Sequence, residues 1–168
     1  MTSWPNIVNV QNLEYAADAN VPEAYQYEAA PAAFSQALGA NKLGFNVSVL
    51  MPKKFSCPYH FHHSEEEVSL VLAGRAILRQ PQGFREVSEG DLIVFGASAD
   101  GAHQFYNHTE EPFRYLSLST VDPLDVCEYP DSGKINVRAL KRVFQGGAAV
   151  NYWKDEEDPA KYWPPDRL

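Results

Sequence analysis

The chain is poor in cysteine, in histidine and in positive charge, and it has no long apolar run. Its two cysteines, Cys57 and Cys127, stand far apart and form no Cys-x-x-Cys pair, which excludes a disulfide framework and a zinc ribbon and leaves two half-buried thiols. Lys and Arg number 14 against 22 Asp and Glu, for a formal charge of −8. Such a surface repels a phosphate backbone, so a nucleic-acid partner is excluded. No apolar stretch approaches the roughly 20 residues of a bilayer-spanning helix, so no membrane partner is expected. The opening Met1-Thr2-Ser3-Trp4-Pro5-Asn6 has neither a basic start nor an apolar core, and a cytoplasmic protein is expected.

What is present is an ordinary globular composition, 45% hydrophobic and 21% charged over 168 residues, enough for one domain that buries roughly two thirds of its unfolded surface. Residues 1–40 form an N-terminal arm rich in Ala, Asn, Pro and Glu, with one short helix expected near Phe34 to Leu38. Residues 41–121 form the barrel. Apolar and polar residues alternate there from Leu43 to Met51, and further runs follow at Val68–Leu72, Arg75–Arg79, Asp91–Phe95, His103–Asn107 and Phe113–Thr120. Gly74, Pro81-Gln82-Gly83, Gly90, Asp100-Gly101 and Glu110-Glu111-Pro112 punctuate them. Short strands with regular turns and no helical pattern between them predict an all-β sandwich or barrel. Residues 122–168 form a C-terminal extension: a turn at Tyr129–Lys134, a strand at Ile135–Val143 and an aromatic, acidic tail from Trp153 to Pro165.

Three of the five histidines fall into a pattern. In an extended chain His60 and His62 point to one face, and Glu67, opening the next apolar run, can return to the same point from a neighbouring strand. A histidine pair alone also reads as surface or core decoration. The segment His60-Phe61-His62, then Glu67, then Gly74, resembles the first motif of the cupin superfamily. Gly90, His103 and Asn107 resemble its second motif, although Gly96-Ala97-Ser98-Ala99-Asp100-Gly101 lacks that motif's proline and carries an extra residue. Glu128–Lys134 resembles the tail of a group of small bacterial cupins, some labelled sugar-phosphate isomerase-like.

The resemblance implies an all-β double-stranded β-helix, or jelly-roll barrel, and makes His60, His62, Glu67 and His103 ligands of one divalent transition metal. Three imidazoles and a carboxylate suit Fe, Mn, Ni, Zn or Cu without choosing among them. A homodimer is implied as well. The function expected is that of a metal-dependent enzyme, of isomerase, decarboxylase or dioxygenase type, acting on a small polar or anionic molecule; the alternative is a cupin that binds or senses a small ligand without turnover. No nucleophile is indicated, and the catalytic residues stay unassigned.

Around this set several residues keep two readings. Glu65-Glu66-Glu67 reads as a solvated acidic turn, with Glu66 the substitute ligand if the turn is tighter. His63 and His108 read as surface residues, His63 entering only on a one-residue slip. Ser69, Val71, Phe105 and Asn107 share strand parity with the ligands and face the interior. Cys57, three residues before His60, is placed for the rim of the site. Arg75, Arg79 and Arg114 are candidates to grip an anionic substrate or are plain surface charge. Tyr59, Tyr106 and Tyr115 are the candidate general bases.

Overall fold

The computed structural model describes residues 6–17, 21–25, 27–30, 34–147 and 149–151. The described residues include thirteen strands: β1 (Ala16–Ala17), β2 (Tyr27–Ala29), β3 (Leu43–Leu50), β4 (Phe61–His62), β5 (Glu67–Ala73), β6 (Arg75–Gln80), β7 (Gly83–Ser88), β8 (Leu92–Phe95), β9 (Gln104–Tyr106), β10 (Phe113–Thr120), β11 (Val126–Tyr129), β12 (Lys134–Val137) and β13 (Arg142–Gln145). One α-helical turn, α1 (Phe34–Ala37), lies where the short helix was expected, with Phe34 edge-on to Phe45 at 5.8 Å.

All pairings are antiparallel. One sheet runs β1-β2-β3-β10-β5-β8, a second β13-β12-β11-β4 and a third β7-β6-β9. An isolated bridge between His60 and His103 joins β4 to β9, so the second and third sheets meet edge to edge. Side chains alternate as a pleat demands: in β5 Ser69 and Val71 are buried, and in β6 Ala76 and Leu78 are. The main core draws Leu50, Val71, Phe95 and Phe113 from the six-stranded sheet and Ala76, Leu78, Val87 and Phe105 from the three-stranded one. These sheets therefore face each other across one apolar layer. At about 1.5–3 kcal/mol for each large side chain fully buried, this layer dominates the stability of the fold.

The N-terminal arm is more regular than its composition suggests. It adds β2 to the edge of β3, pairing Tyr27 with Leu50 and Glu28 with Val49, and β1 to β2. An open edge with a row of unpaired amides is covered by the chain itself. Two other segments differ from expectation. β7 went unread because only Val87 of its six residues is fully buried, which leaves little alternation to detect. The strand expected over Ile135–Val143 is a hairpin, β12 and β13, split by a short turn at Arg138–Leu140 that closes on Lys141 in the left-handed region at φ 50°. A lysine gives no turn signal there, whereas a Gly or Asn does. The aromatic tail from Trp153 to Pro165 lies outside the described residues.

Candidate metal centre

The bridge that joins the two sheets also builds the site. His60 and His103 are register partners: the His103 amide donates to the His60 carbonyl at 2.9 Å, and the His60 amide donates to the His103 carbonyl at 3.4 Å. Directly opposed residues on an antiparallel pair project to the same face, so both rings enter the barrel together. His62, two residues along, joins them by parity, and Glu67 reaches across from β5 in the facing sheet. Glu67 Oε2 stands 3.8 Å from His60 Nε2, 3.7 Å from His62 Nε2 and 3.5 Å from His103 Nε2. Donor atoms about 2.0–2.2 Å from one ion stand roughly 3–4 Å apart, so each ring-to-carboxylate separation fits a shared metal. Among donors that all lie within 4.8 Å of one another, however, His62 groups with His60 and Cys127 rather than with Glu67 and His103. His60, Glu67 and His103 offer donor atoms all within 4.8 Å of one another.

Each ring is held from behind. His60 Nδ1 lies 3.0 Å from the Pro58 carbonyl, His103 Nδ1 lies 3.0 Å from the Gly101 carbonyl, and His62 Nδ1 lies 2.6 Å from Asp125 Oδ2. A carbonyl only accepts, so the proton sits on Nδ1 in His60 and His103 and the Nε2 lone pair is free. Burial, and then the neighbouring His62, lower the His60 pKa to about 4; burial and then His60 lower that of His103 to about 3. Both rings are neutral at pH 7, so their contacts with Glu67 are not ion pairs. Burial also raises the Glu67 pKa. Phe95 stacks face to face on the His103 ring, centroids 3.6 Å apart, and fixes its plane.

Asp125, absent from the sequence reading, anchors this outer layer. It is 2% exposed, and burial alone would raise its pKa; the hydrogen bonds from His62 and from the Ser64 amide and hydroxyl outweigh that and leave it below the ordinary value. Beside it Glu65 is only 3% exposed. Arg138 grips both Glu65 oxygens, one of them at 2.6 Å, and the Asp122 amide donates to Oε1 at 2.7 Å. The run Glu65-Glu66-Glu67 is thus not a solvated turn: Glu65 points into the protein, Glu66 points out to solvent, and Glu67 points into the barrel. The Glu66 amide donates to Thr120 Oγ1, and its side chain is exposed and away from the rings.

The altered turn before His103 has its own geometry. The Gly101 amide donates to the Ser98 carbonyl at 2.9 Å, and a Cβ on Gly101 would lie 2.0 Å from the Gly96 carbonyl oxygen. Two glycines in van der Waals contact take the place of a proline-built turn and aim the Gly101 carbonyl at the His103 ring. Gly74, at φ +82°, turns β5 into β6, where a Cβ would meet the Pro112 carbonyl at 2.6 Å.

A cavity of about 170 Å³ opens on the rings, lined by Ser56, Cys57, Ser69, Phe105, Tyr115 and Ser117 beside His60, Glu67 and His103. Cys57 Sγ lies 3.6 Å from His60 Nδ1, and burial pushes its thiol up to about 12. Burial likewise raises the Tyr115 phenol. Cys127, opposite His62 in register, has its sulfur within 4.8 Å of ring nitrogens of His60 and His62, with a thiol pushed up to about 11 by burial. Of the other candidates, Asn107 is fully buried and ties the Leu50 and Glu111 carbonyls together, a structural role. His63 pairs with Glu128 and His108 with Glu86. The three arginines are committed away from the rings: Arg75 to Glu86, Arg79 to both oxygens of Asp131, and Arg114 to Gln11. Tyr106 packs on Phe55, and Tyr59 lies under the Arg79 guanidinium at 3.9 Å.

Residues 46–119 match the family model of the cupin domain. Among solved structures, a provisionally named sugar phosphate isomerase from Acidithiobacillus ferrooxidans is similar with a TM-score of 0.76 at 21% identity, over 88% of this chain and 97% of that one. A sugar phosphate isomerase of the cupin superfamily from Silicibacter pomeroyi gives 0.72 at 21%, over 87% and 97%. A predicted oxalate decarboxylase from Thermotoga maritima gives 0.56 at 18%, over 69% and 99%. At these identities the likeness shows the fold, a double-stranded β-helix. No curated protein matches the sequence.

Proposed function

The chain is a small cupin-domain protein, and from that premise we propose that it is an enzyme in which His60, His62, Glu67 and His103 hold one divalent transition metal. Its substrate is a small polar or anionic molecule, and its chemistry is redox-neutral, of isomerase or decarboxylase type. One observation carries the reading: all three imidazoles have Nδ1 engaged by a carbonyl or carboxylate and Nε2 turned toward Glu67 Oε2. Metal-binding histidines need that outer layer to fix tautomer and orientation, and a purely structural histidine cluster does not. The mixed nitrogen and oxygen set suits Fe, Mn, Ni, Zn or Cu. The similarity in fold to proteins named as an isomerase and a decarboxylase favours redox-neutral chemistry.

A metal bound there would polarise substrate oxygens as a Lewis acid. The chain's own residues supply the rest. Cys57 and Tyr115 stay protonated at neutral pH because burial raises both. With Ser56, Ser69 and Ser117 they offer hydrogen bonds to substrate oxygens on which negative charge develops. Phe105 and the stacked Phe95 and His103 rings keep one wall apolar and limit water.

Elemental analysis of protein purified without added metal should find close to one transition metal per chain, and the His60→Ala, His103→Ala double variant should lose it. Unchanged metal content in that variant refutes the ligand set. Turnover should then appear with keto acids or sugar phosphates and vanish on chelation; a metal-loaded protein that binds such molecules without converting them is a binding cupin instead.

A further inference from the structure

Outside the inner pocket lies a larger chamber of about 510 Å³, which shares Ser56 and Cys57 with it. Three segments distant in sequence meet around it. The N-terminal arm brings Tyr25 and Tyr27, the segment leading to His60 brings Pro58 and Tyr59, and the β11–β12 turn brings Asp131 and Lys134. The charges on its wall are unequal. Asp131 gives both carboxylate oxygens to Arg79 at 2.6 and 2.8 Å, so that pair is neutral overall. Lys134 has no carboxylate partner among the described residues; its ammonium sits 5.1 Å over the Tyr129 ring. The other face of the connection is the site itself, since Tyr129 also stacks on His60 with centroids 6.0 Å apart. One aromatic ring therefore separates the Lys134 ammonium from a proposed metal ligand, a span that a short carbon chain covers.

We propose that this chamber holds the body of the substrate and that Lys134 binds an anionic terminus, a phosphate monoester or a carboxylate, while oxygens at the opposite end reach the inner pocket. The proposal rests on the metal-site reading for the head of the substrate and on the chamber alone for its tail. Two features select this ligand class. In a chain of net charge −8, an ammonium with no carboxylate partner among the described residues, at a partly buried position, is a specific anion-binding group rather than part of a general basic surface. The tyrosine and proline faces suit a compact carbon skeleton and, among the described residues, offer no second cation for a polyanion. The arginines that the sequence offered for this task are already paired, which leaves it to Lys134.

The test uses three probes by calorimetry at constant ionic strength: gluconate, 6-phosphogluconate and glucarate, which share a hydroxy-acid head and differ in the far end. On the metal-loaded protein, a probe with an anionic tail should bind about tenfold or more tighter than gluconate, the worth of one charge-assisted hydrogen bond. Whether 6-phosphogluconate or glucarate gains more identifies the anion. Lys134→Met should abolish that preference and leave gluconate affinity and Tm unchanged, and Lys134→Arg should restore most of it. Stripping the metal with EDTA should weaken all three probes alike. If stripping has no effect, the metal reading fails and the lysine result stands by itself. If Lys134→Met weakens all probes equally, or none, or if the tailed probes bind no tighter than gluconate, the assignment of Lys134 is overturned.

Discussion

Replacing Asp125 by Asn isolates the hydrogen bond that positions His62 while keeping shape and volume. Asp125 Oδ2 accepts from His62 Nδ1 at 2.6 Å in a position 2% exposed, a charge-assisted contact roughly twice as strong as its neutral counterpart. With Asn the ring keeps a neutral acceptor, so the fold should survive, but the imidazole loses basicity and orientation at Nε2. Loss of such a partner typically costs 10–100-fold in metal affinity, or about 1.4–2.7 kcal/mol. The assay is competition for zinc against a chromophoric chelator at pH 7.5, with a parallel thermal melt of the metal-free protein. The control is built into the molecule. His63 and Glu128 form the same imidazole–carboxylate pair at 2.8 Å, with their side chains 48% and 40% exposed and outside the barrel. Glu128→Gln should leave zinc affinity unchanged. If Asp125→Asn binds zinc within twofold of the parent, or if Glu128→Gln loses as much, the reasoning from ring support to metal binding is refuted.

Other consequences are open to measurement. Arg138→Met strands the buried Glu65 carboxylate without its cation; because Arg138 is itself 40% exposed, the loss should fall near the low end for a broken buried pair, about 3 kcal/mol by urea unfolding. Gly101→Ala forces a Cβ against the Gly96 carbonyl and should cost about 1–3 kcal/mol and displace His103 from the metal, whereas Gly96→Ala, whose Cβ meets nothing within 4 Å, should be tolerated in both assays. The metal-free protein should lose stability as pH falls below about 6.5. There the unfolded chain binds protons on His60 and His103 that the folded chain refuses until about pH 4 and 3, so the slope is positive with pH and on the order of 2–3 kcal/mol per unit for the two rings. The Asp125 contribution has its own window: its lowered pKa stabilises the fold above the unfolded carboxylate range and is lost only as pH falls through the folded value. Stability that stays flat from pH 7 to 5 contradicts buried neutral rings.

Local order carried much of this protein in its sequence. Alternation with period two is a property of the chain itself, so β5, β6 and β10 and the shared face of His60 and His62 could be read directly, whereas Glu67 was singled out by the resemblance to the cupin motif. The same local logic failed at β7, where the outward face hides the period, and at Lys141, where a left-handed turn is made by a residue that does not announce it.

What the tertiary structure alone decided is which distant groups complete the site. The pairing of His60 with His103, the closure of Asp125 on His62 across 63 positions, the clamp of Arg138 on Glu65 across 73, and the meeting of Tyr27 with Lys134 around one chamber are all products of sheet closure. Burial explains why their roles could not be read in advance. A carboxylate in a run of three glutamates looks solvated until the barrel withdraws water from one of them and not its neighbour, and an arginine looks free until its partner arrives from another strand. The alternating pattern and the motif resemblance of the sequence pointed to the fold and to the proposed ligands; sheet closure, which no local pattern encodes, set the pairing of the rings, their outer support and the place of Lys134 beside Tyr129.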